Sequence, residues 1–550
     1  MNVAFDPWIP VVTMEGKREL ASLAGVFTDS GEYTDLAVRP HERVSLMRLF
    51  LCVAHAALDG PKDYDEWCEV PKRLPDAAQK YLTEWKDSFE LFYTTKPWLQ
   101  VAELDFLPSD KNTGPDDTSG WSTLNKMSFT KASGHNPSLF DHVSNDNDFL
   151  EYDSIEIALN LLTFQNFFVA GGQAPSRVWG KFEMKKPPNP KGGPCAGKSI
   201  LFTFLRGKNI VESVHLNLNS YEDLKLIYGG GKDWLGVPLW EMPIKSPTDK
   251  DAIKNATQTH IGRLVPLTRL LKINHDRKRV LLGAGLLYPK FQDESNPFHP
   301  DQFATMVVNR SGGRELVSAR QNAGIWRQLH SLIVRSRDAS STTRGPLCLL
   351  NTSPECSFDV VVSSMLTNPK QAAEIVDLVE SVFHIPSQLL MPEGTNSYEQ
   401  EVKKAVSFSS RLSSAVSEYR KEIDDKWLKK INDFEKKTAR KSEVEKARGK
   451  KYLESTSPLY ATASIHYWTT VEKNLPLLMA HIEAIDTDEA MPARDIWRKM
   501  LYRAALDAYT IACGQETSRQ MRAFAKGWQV LTATKNENET DVNDQKEDDV

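Results

Sequence analysis

YEQEVKKAVSFSSRLSSAVSEYRKEIDDKWLKKINDFEKK, residues 398–437, is free of Gly and Pro and alternates apolar with charged residues along its length. It opens the region in which the chain changes character. From Glu399 to about Thr534 the sequence loses most of its Gly, and further amphipathic stretches follow at residues 461–485, 493–513 and 517–531. Apolar residues there recur at three and four, as in Trp497, Met500, Leu501 and Ala504, the pattern of a helix that buries one face. Four such helices with short connections predict an antiparallel bundle. Inside it, residues 426–451 (KWLKKINDFEKKTARKSEVEKARGKK) read either as a solvated helix pair or as a surface that tracks phosphates.

Working outward, residues 1–395 form an irregular mixed region with many Pro and Gly interruptions. Residues 43–58 (RVSLMRLFLCVAHAAL) and 155–168 (IEIALNLLTFQNFF) carry apolar residues at helical spacing. Residues 199–206 (SILFTFLR) and 357–365 (SFDVVVSSM) are short and β-branched or aromatic, so strands are expected there. Loops rich in Gly, Ser, Asp and Asn occupy residues 108–121, 131–152 and 185–198, long enough to suggest function or disorder. The expected fold class is therefore α+β: a large irregular mixed domain over residues 1–395 followed by a C-terminal four-helix bundle over 396–534. Residues 535–550 are polar and acidic and read as a disordered tail.

A chain of 550 residues is too long for one ordinary core, and its mix of 40% apolar and 26% charged residues is that of a soluble globular protein. The opening residues lack the basic start and apolar run of a signal peptide. No stretch approaches the roughly 20 apolar residues that span a bilayer. Six scattered cysteines without a C-x-x-C pair read as reduced thiols in a cytoplasmic protein. The net charge of −5 argues against indiscriminate coating of nucleic acid. Charge is nevertheless uneven: Arg177, Lys181, Lys185, Lys186, Lys191, Lys198, Arg206 and Lys208 face one acid, Glu183, within residues 177–208. A second basic group holds Arg263, Arg269, Lys272, Arg277, Lys278, Arg279 and Lys290. Two such runs near Gly-bearing loops raise the expectation of a local nucleic-acid surface.

Residues 192–199 (GGPCAGKS) satisfy the P-loop string, whose chemistry needs a strand before it and a helix after it. Here KKPPNPK precedes, which cannot pair as a buried strand, and a predicted strand follows. The twelve histidines include no H-x-x-x-H pair. His275-Asp276 and Asp141-His142 have no third ligand nearby in sequence, and no G-x-S-x-G nucleophile motif occurs. No catalytic residue, metal or cofactor is expected, and no membrane partner.

Two loops remain. Residues 131–142 (KASGHNPSLFDH) combine a flexible backbone, hydrogen-bonding side chains and Phe140, which either stacks on a base or tucks into the core. Residues 169–173 (VAGGQ) follow a predicted helix, where Gly171 serves as a C-terminal cap, as a site of close ligand approach, or as both.

The segment Ser133-Gly134-x-Asn136-x-x-x-Phe140-Asp141-His142 resembles a recognition loop of the CasA family, the large subunit of type I-E CRISPR Cascade complexes. Other features fall in that family's order: Asp6-Pro7-Trp8-Ile9-Pro10-Val11, Lys96-Pro97-Trp98-Leu99-Gln100, Gly171-Gly172, residues 201–207 (LFTFLRG), Leu239-Trp240-Glu241 and Ile261-Gly262-Arg263-Leu264. The resemblance implies a non-catalytic subunit of an RNA-guided antiviral ribonucleoprotein. Such a subunit recognises the protospacer-adjacent motif (PAM) in double-stranded target DNA, helps open the duplex into an R-loop and recruits a helicase-nuclease. It implies that Gly171 and Gly172 face the PAM and that Lys290 reaches into the minor groove. Ser133, Gly134, His135, Asn136, Phe140 and His142 would contact the 5′ handle of the guide RNA (crRNA) and the PAM region. Its duplex-splitting wedge is a hairpin tip, matched here by residues 349–357 (LLNTSPECS) with Asn351 as the wedge residue, although Glu355 at that tip would repel phosphate. A P-loop nucleotide hydrolase and a purely structural recruitment scaffold are the competing readings.

Overall fold

The computed structural model describes residues 1–29, 31–92, 95–107, 120–131, 151–167, 175–185, 199–228, 233–288, 301–308, 313–320, 323–335, 344–353, 355–368, 371–439 and 441–533. Contacts divide the chain into two compact units, Met1–Ile385 and Pro386–Val550.

The first unit is mixed. Its centre is the helix Pro40–Leu58, on which nearly every side chain from His41 to His55 is buried. Pro40 at the first turn and the Glu42 carboxylate accepting from Arg39 N at 2.8 Å start it. Left-handed Asp59 ends it. Because the apolar residues encircle this helix, it is a core element packed on all sides rather than an amphipathic surface helix. Small antiparallel sheets surround it. Ile9–Thr13 lies between Arg18–Ala21 and Tyr33–Leu36, while Phe358–Asn368 lies between Phe202–Arg206 and Gln371–Ile385. Phe358–Asn368 and Gln371–Ile385 form a long antiparallel hairpin, in one register from Phe358↔Ile385 to Leu366↔Asp377 and shifted by irregularities before Asn368↔Gln371.

The expected helices over 43–58 and 155–168 are Pro40–Leu58 and Ser154–Phe167, and the expected strands are Phe202–Arg206 and Phe358–Asn368. Among the described motif residues, several pack into or against the core. Trp8 donates from Nε1 to Val3 O at 2.7 Å and meets Trp98 edge to face at 5.9 Å. Trp240 Nε1 donates to Tyr81 Oη at 2.7 Å, and that hydroxyl donates to Glu241. A Cβ on Gly262 would lie 2.4 Å from Asn255 O, so only glycine lets the turn before Arg263 pass this close.

The second unit is helical. Pro392–Ile423, Pro458–Lys473, Ala490–Ala512 and Ser518–Thr532 form the bundle, with Asp425–Thr438, Glu443–Ser455 and Leu475–Glu483 as shorter additions. Tyr398, Leu412, Val416, Tyr467, Trp497, Leu501 and Tyr509 fill the core. Glu401, 1% exposed on its side chain, is held there by Nε and Nη2 of Arg498, at 2.6 to 3.1 Å. The helix expected across 398–437 breaks at Asp424, whose carboxylate caps the next helix by accepting from Lys426 N and Trp427 N. The stretch 461–485 breaks at Asn474, one residue before the next helix begins with Pro476 in its first turn. Residues 426–451 fold as a helix pair around Trp427, Ile431, Phe434 and Leu453. Among the described residues no helix is long and apolar enough to cross a membrane. The tail 535–550 lies outside the described residues.

Three histidines of the first unit are buried as neutral rings. Burial, aided by Arg39, lowers His41 to about 3; burial lowers His55 to about 4 and His260 well below its ordinary value. Unfolding releases them to near 6.5, so between about 6.5 and 4 the unfolded chain binds more protons than the folded one. Stability is therefore full above that window and falls as pH drops through it. His41 packs edge-on against Phe129 and Phe167, and its Nδ1 makes no hydrogen bond among the described residues. We predict that His41→Phe flattens the loss of Tm between pH 6.5 and 4 in calorimetric scans; an unchanged slope would contradict this account.

Candidate nucleic-acid interface

Ser133, Gly134, His135, Asn136, Phe140, His142, Gly171, Gly172 and Lys290 all lie outside the described residues, as does the P-loop string up to Lys198. What the structure defines is the frame from which those three loops depart, all of it within the first unit.

The helix Ser154–Phe167 delivers the chain to the Gly171-Gly172 loop. Near its end Gln165, fully buried, donates from Nε2 to Leu99 O at 3.1 Å and Arg269 O at 3.0 Å, and its Oε1 accepts from Arg269 N at 2.9 Å. Thr268 Oγ1 donates to Gln165 O. The segment leading to Lys290 is fastened to the same place, because Tyr288 Oη donates to Leu267 O at 2.8 Å. Leu267, Thr268 and Arg269 thus hold the bases of both loops. On the far side of the Lys290 segment, Asp301 is paired with Arg48 at 2.6 Å.

The loop 132–150 is gripped at its own neck. Lys131 Nζ lies 2.9 Å from Glu156 and 4.1 Å from the centroid of the Tyr152 ring. Burial alone would lower the Lys131 ammonium, but Glu156 and Tyr152 outweigh it and hold the pKa above the usual lysine value. Tyr152 Oη donates to Asn125, and Tyr152 N to Arg277 O at 3.3 Å.

The basic runs divide once folded. Arg177, Arg263 and Arg269 are 4 to 6% exposed and act inside the fold. Arg177 donates to Leu282 O, Ser176 O and Gly120 O, Arg263 to Thr257 O, and burial lowers Arg269 to about 10. Lys181, Lys185, Arg206, Lys208 and Arg277 remain at the surface. A count of charges along the chain therefore overstates the basic surface.

One expectation needs correction. The described residues of 349–357 are not the tip of a hairpin: Leu347–Asn351 is a 3-10 helix, and the next strand begins only at Phe358. Asn351 is a structural pin, donating from Nδ2 to Leu216 O at 2.7 Å and Leu218 O at 3.0 Å while its Oδ1 accepts from Asn219. The hairpin in this part of the chain is Phe358–Asn368 with Gln371–Ile385, and its tip at residues 369–370 lies outside the described residues. The sequence signal for it was present, since two strand-like runs flank Asn368-Pro369-Lys370-Gln371.

After Ser199 the chain enters the strand Phe202–Arg206, not a helix, so the P-loop string lacks its phosphate-binding helix N-terminus. Asp276 accepts from Arg279 Nε at 2.6 Å and Lys278 N at 2.9 Å in a turn. Among the described residues no group of three His, Cys, Asp or Glu side chains is placed to hold a metal ion.

We predict that Gln165→Leu, which strands one buried amide and two buried carbonyls, costs about 1–3 kcal/mol in urea unfolding, and Tyr288→Phe about 1 kcal/mol. A negligible loss for Gln165→Leu would mean that the frame is held elsewhere.

The family described as CRISPR-associated protein Cse1 matches residues 2–508. The CRISPR-associated protein CasA/Cse1 of Thermus thermophilus is 25% identical over 546 residues, 96% of each chain. Among solved structures, Cse1 of Acidimicrobium ferrooxidans superposes with a TM-score of 0.67 at 20% identity, over 96% of both chains. A chain of a CRISPR RNA-guided surveillance complex superposes with a TM-score of 0.66 at 17% identity, over 97% of this chain and 99% of that one.

Proposed function

The chain belongs to the CRISPR-associated Cse1 (CasA) family, and on that footing we propose that it is the DNA-recognising large subunit of a type I-E surveillance complex in the cytoplasm, working by binding rather than by catalysis. In this reading it joins the guide-RNA subunits, checks the PAM in duplex DNA, starts the R-loop and presents the opened DNA to a helicase-nuclease. The observation that carries the reading is the shared anchorage of two loops. The helix before Gly171-Gly172 and the segment before Lys290 are both fastened to residues 267–269, through Gln165 and Tyr288. A lysine and a glycine backbone that must meet one short stretch of groove need such a common base.

The chemistry suits a permissive check. The minor groove offers similar acceptors for A·T and T·A, so a lysine and backbone N–H groups accept several related motifs. Guide pairing supplies the remaining specificity. R-loop opening is nearly balanced, so a few protein contacts decide whether it begins. Duplex opening falls to the tip of the hairpin between Asn368 and Gln371, where two amide residues and Lys370 come together in sequence. Asn351 does not take this role, because its carboxamide is committed to the Leu216 and Leu218 carbonyls. Ser133, Gly134, His135, Asn136, Phe140 and His142 serve the crRNA handle. The helix pair around Trp427 offers lysines to a DNA strand.

In the assembled complex, Lys290→Ala is expected to weaken binding of a PAM-containing duplex about tenfold, the scale of one good groove contact, and Gly171→Asp to do the same by adding bulk and negative charge. Lys198→Ala should change nothing. Filter-binding titrations at fixed salt measure all three. Wild-type affinity for Lys290→Ala, or loss of targeting with Lys198→Ala, would overturn the reading.

A further inference from the structure

The hairpin Phe358–Asn368 with Gln371–Ile385 is fastened to its surroundings at two levels. Midway along it, Glu380 Oε2 accepts from Arg43 Nε of the central helix at 3.0 Å and from Ser363 Oγ across the strand pair at 2.9 Å. Farther out the ladder loses its regularity. The register shifts between Leu366 and Thr367 and again between Thr367 and Asn368, so pairing is disrupted just where the hairpin approaches residues 369–370.

A residue from elsewhere in the chain takes over at that break. Ser199 N donates to Met365 O at 2.9 Å, while Ser199 Oγ accepts from Thr367 N at 3.0 Å and lies 3.3 Å from Thr367 Oγ1. The Ser199 carbonyl accepts from Ala319 N at 2.6 Å, and the adjacent Ile200 bridges to Ser318, so the clamp is itself tied down. Thr367 is buried, which shelters these bonds from water. Ser199 makes them at a φ of +57°, a left-handed conformation that costs a residue with a Cβ. Such strain persists where the surrounding structure over-determines it, and it concentrates at working parts of a protein. Ser199 is also the last residue of the string GGPCAGKS, where a P-loop serine would face a magnesium ion. Here its hydroxyl faces a strand instead.

We propose that Ser199 is a positioning residue for duplex opening: by holding Thr367 at the break in the ladder, its hydroxyl fixes the direction in which the hairpin presents residues 369–370 to DNA. This rests on the proposed function, which assigns duplex opening to that tip. A wedge separates base pairs only if it resists being pushed aside. Arg43 and Glu380 do not supply that resistance at the tip, because the irregular part of the ladder lies between them and it. Removing the Ser199 hydroxyl therefore leaves PAM affinity intact and slows strand separation.

The test uses the assembled guide-RNA complex and a duplex that matches the guide and carries a PAM retained by the wild type. Fluorescence of 2-aminopurine beside the PAM follows opening, and filter binding on a duplex with the PAM but no match to the guide measures PAM affinity. Ser199→Gly removes the hydroxyl and relieves the left-handed backbone, whereas Ser199→Ala removes the hydroxyl and keeps the Cβ. Both are expected to open paired duplex about fivefold more slowly, the scale of one net hydrogen bond. Both should keep wild-type PAM affinity and wild-type rates on a duplex already mismatched beside the PAM, and Ser199→Gly should keep the wild-type Tm. The tip variant Lys370→Ala with Gln371→Ala separates clamp from tip. Slow opening by the tip variant with wild-type rates for both Ser199 variants would sink the proposal and leave the hairpin its role. A wild-type rate for the tip variant would remove that role, and the proposal with it. Slowing by Ser199→Ala alone, or equal slowing on the mismatched duplex, would also overturn the proposal, since backbone strain or general damage would then explain the effect.

Discussion

The first unit depends on a buried ion pair. Arg48 and Asp301, 2% and 0% exposed on their side chains, meet at 2.6 Å. The guanidinium also lies over the rings of Phe202 and Phe303, at 5.6 and 5.8 Å. The second oxygen of Asp301 accepts from Phe303 N at 3.0 Å, and Phe303 O accepts from Thr203 N at 2.8 Å. One contact thereby joins the central helix, the strand Phe202–Arg206 and the point where the chain returns from the Lys290 segment. Burying two charges is expensive, and removing one partner alone typically costs about 3–5 kcal/mol. Such a pair belongs where position matters more than net stability.

The remaining anchors follow the same logic. Loops that read a ligand are useful when a rigid frame fixes where they start. Here buried side chains bind backbone atoms at two of the bases, Gln165 to Leu99 and Arg269 and Tyr288 to Leu267, while at the third Tyr152 N donates to Arg277 O. The frame spends these polar groups on its own backbone.

Much of this was legible in sequence, for physical reasons that differ by element. The helices at Pro40–Leu58 and Ser154–Phe167 announced themselves by dense apolar content, and the strands at Phe202 and Phe358 by β-branched and aromatic runs. The family motifs were found by their order, and some of their described residues are core contacts, as Trp8 on Trp98. Other features depend on folding together distant segments. Charge counting could not show that Arg177, Arg263 and Arg269 turn inward, because burial of an arginine is decided by which carbonyls come within its reach. Nor could it distinguish the short hydrogen-bonded helix at Asn351 from the hairpin that follows. The break at Asp424 was readable in retrospect: an Asp two residues before Lys426 is a helix cap.

The central claim is that this chain reads duplex DNA for a guide-RNA complex. The most direct measurement is a gel-shift titration of that complex, with and without this protein, on short duplexes carrying randomised PAM positions at one fixed salt concentration, since phosphate contacts make affinity salt-dependent. The account predicts that a subset of PAM sequences is retained only when the chain is present. The same set of duplexes retained in its absence would contradict it and leave the chain a role in recruiting partners.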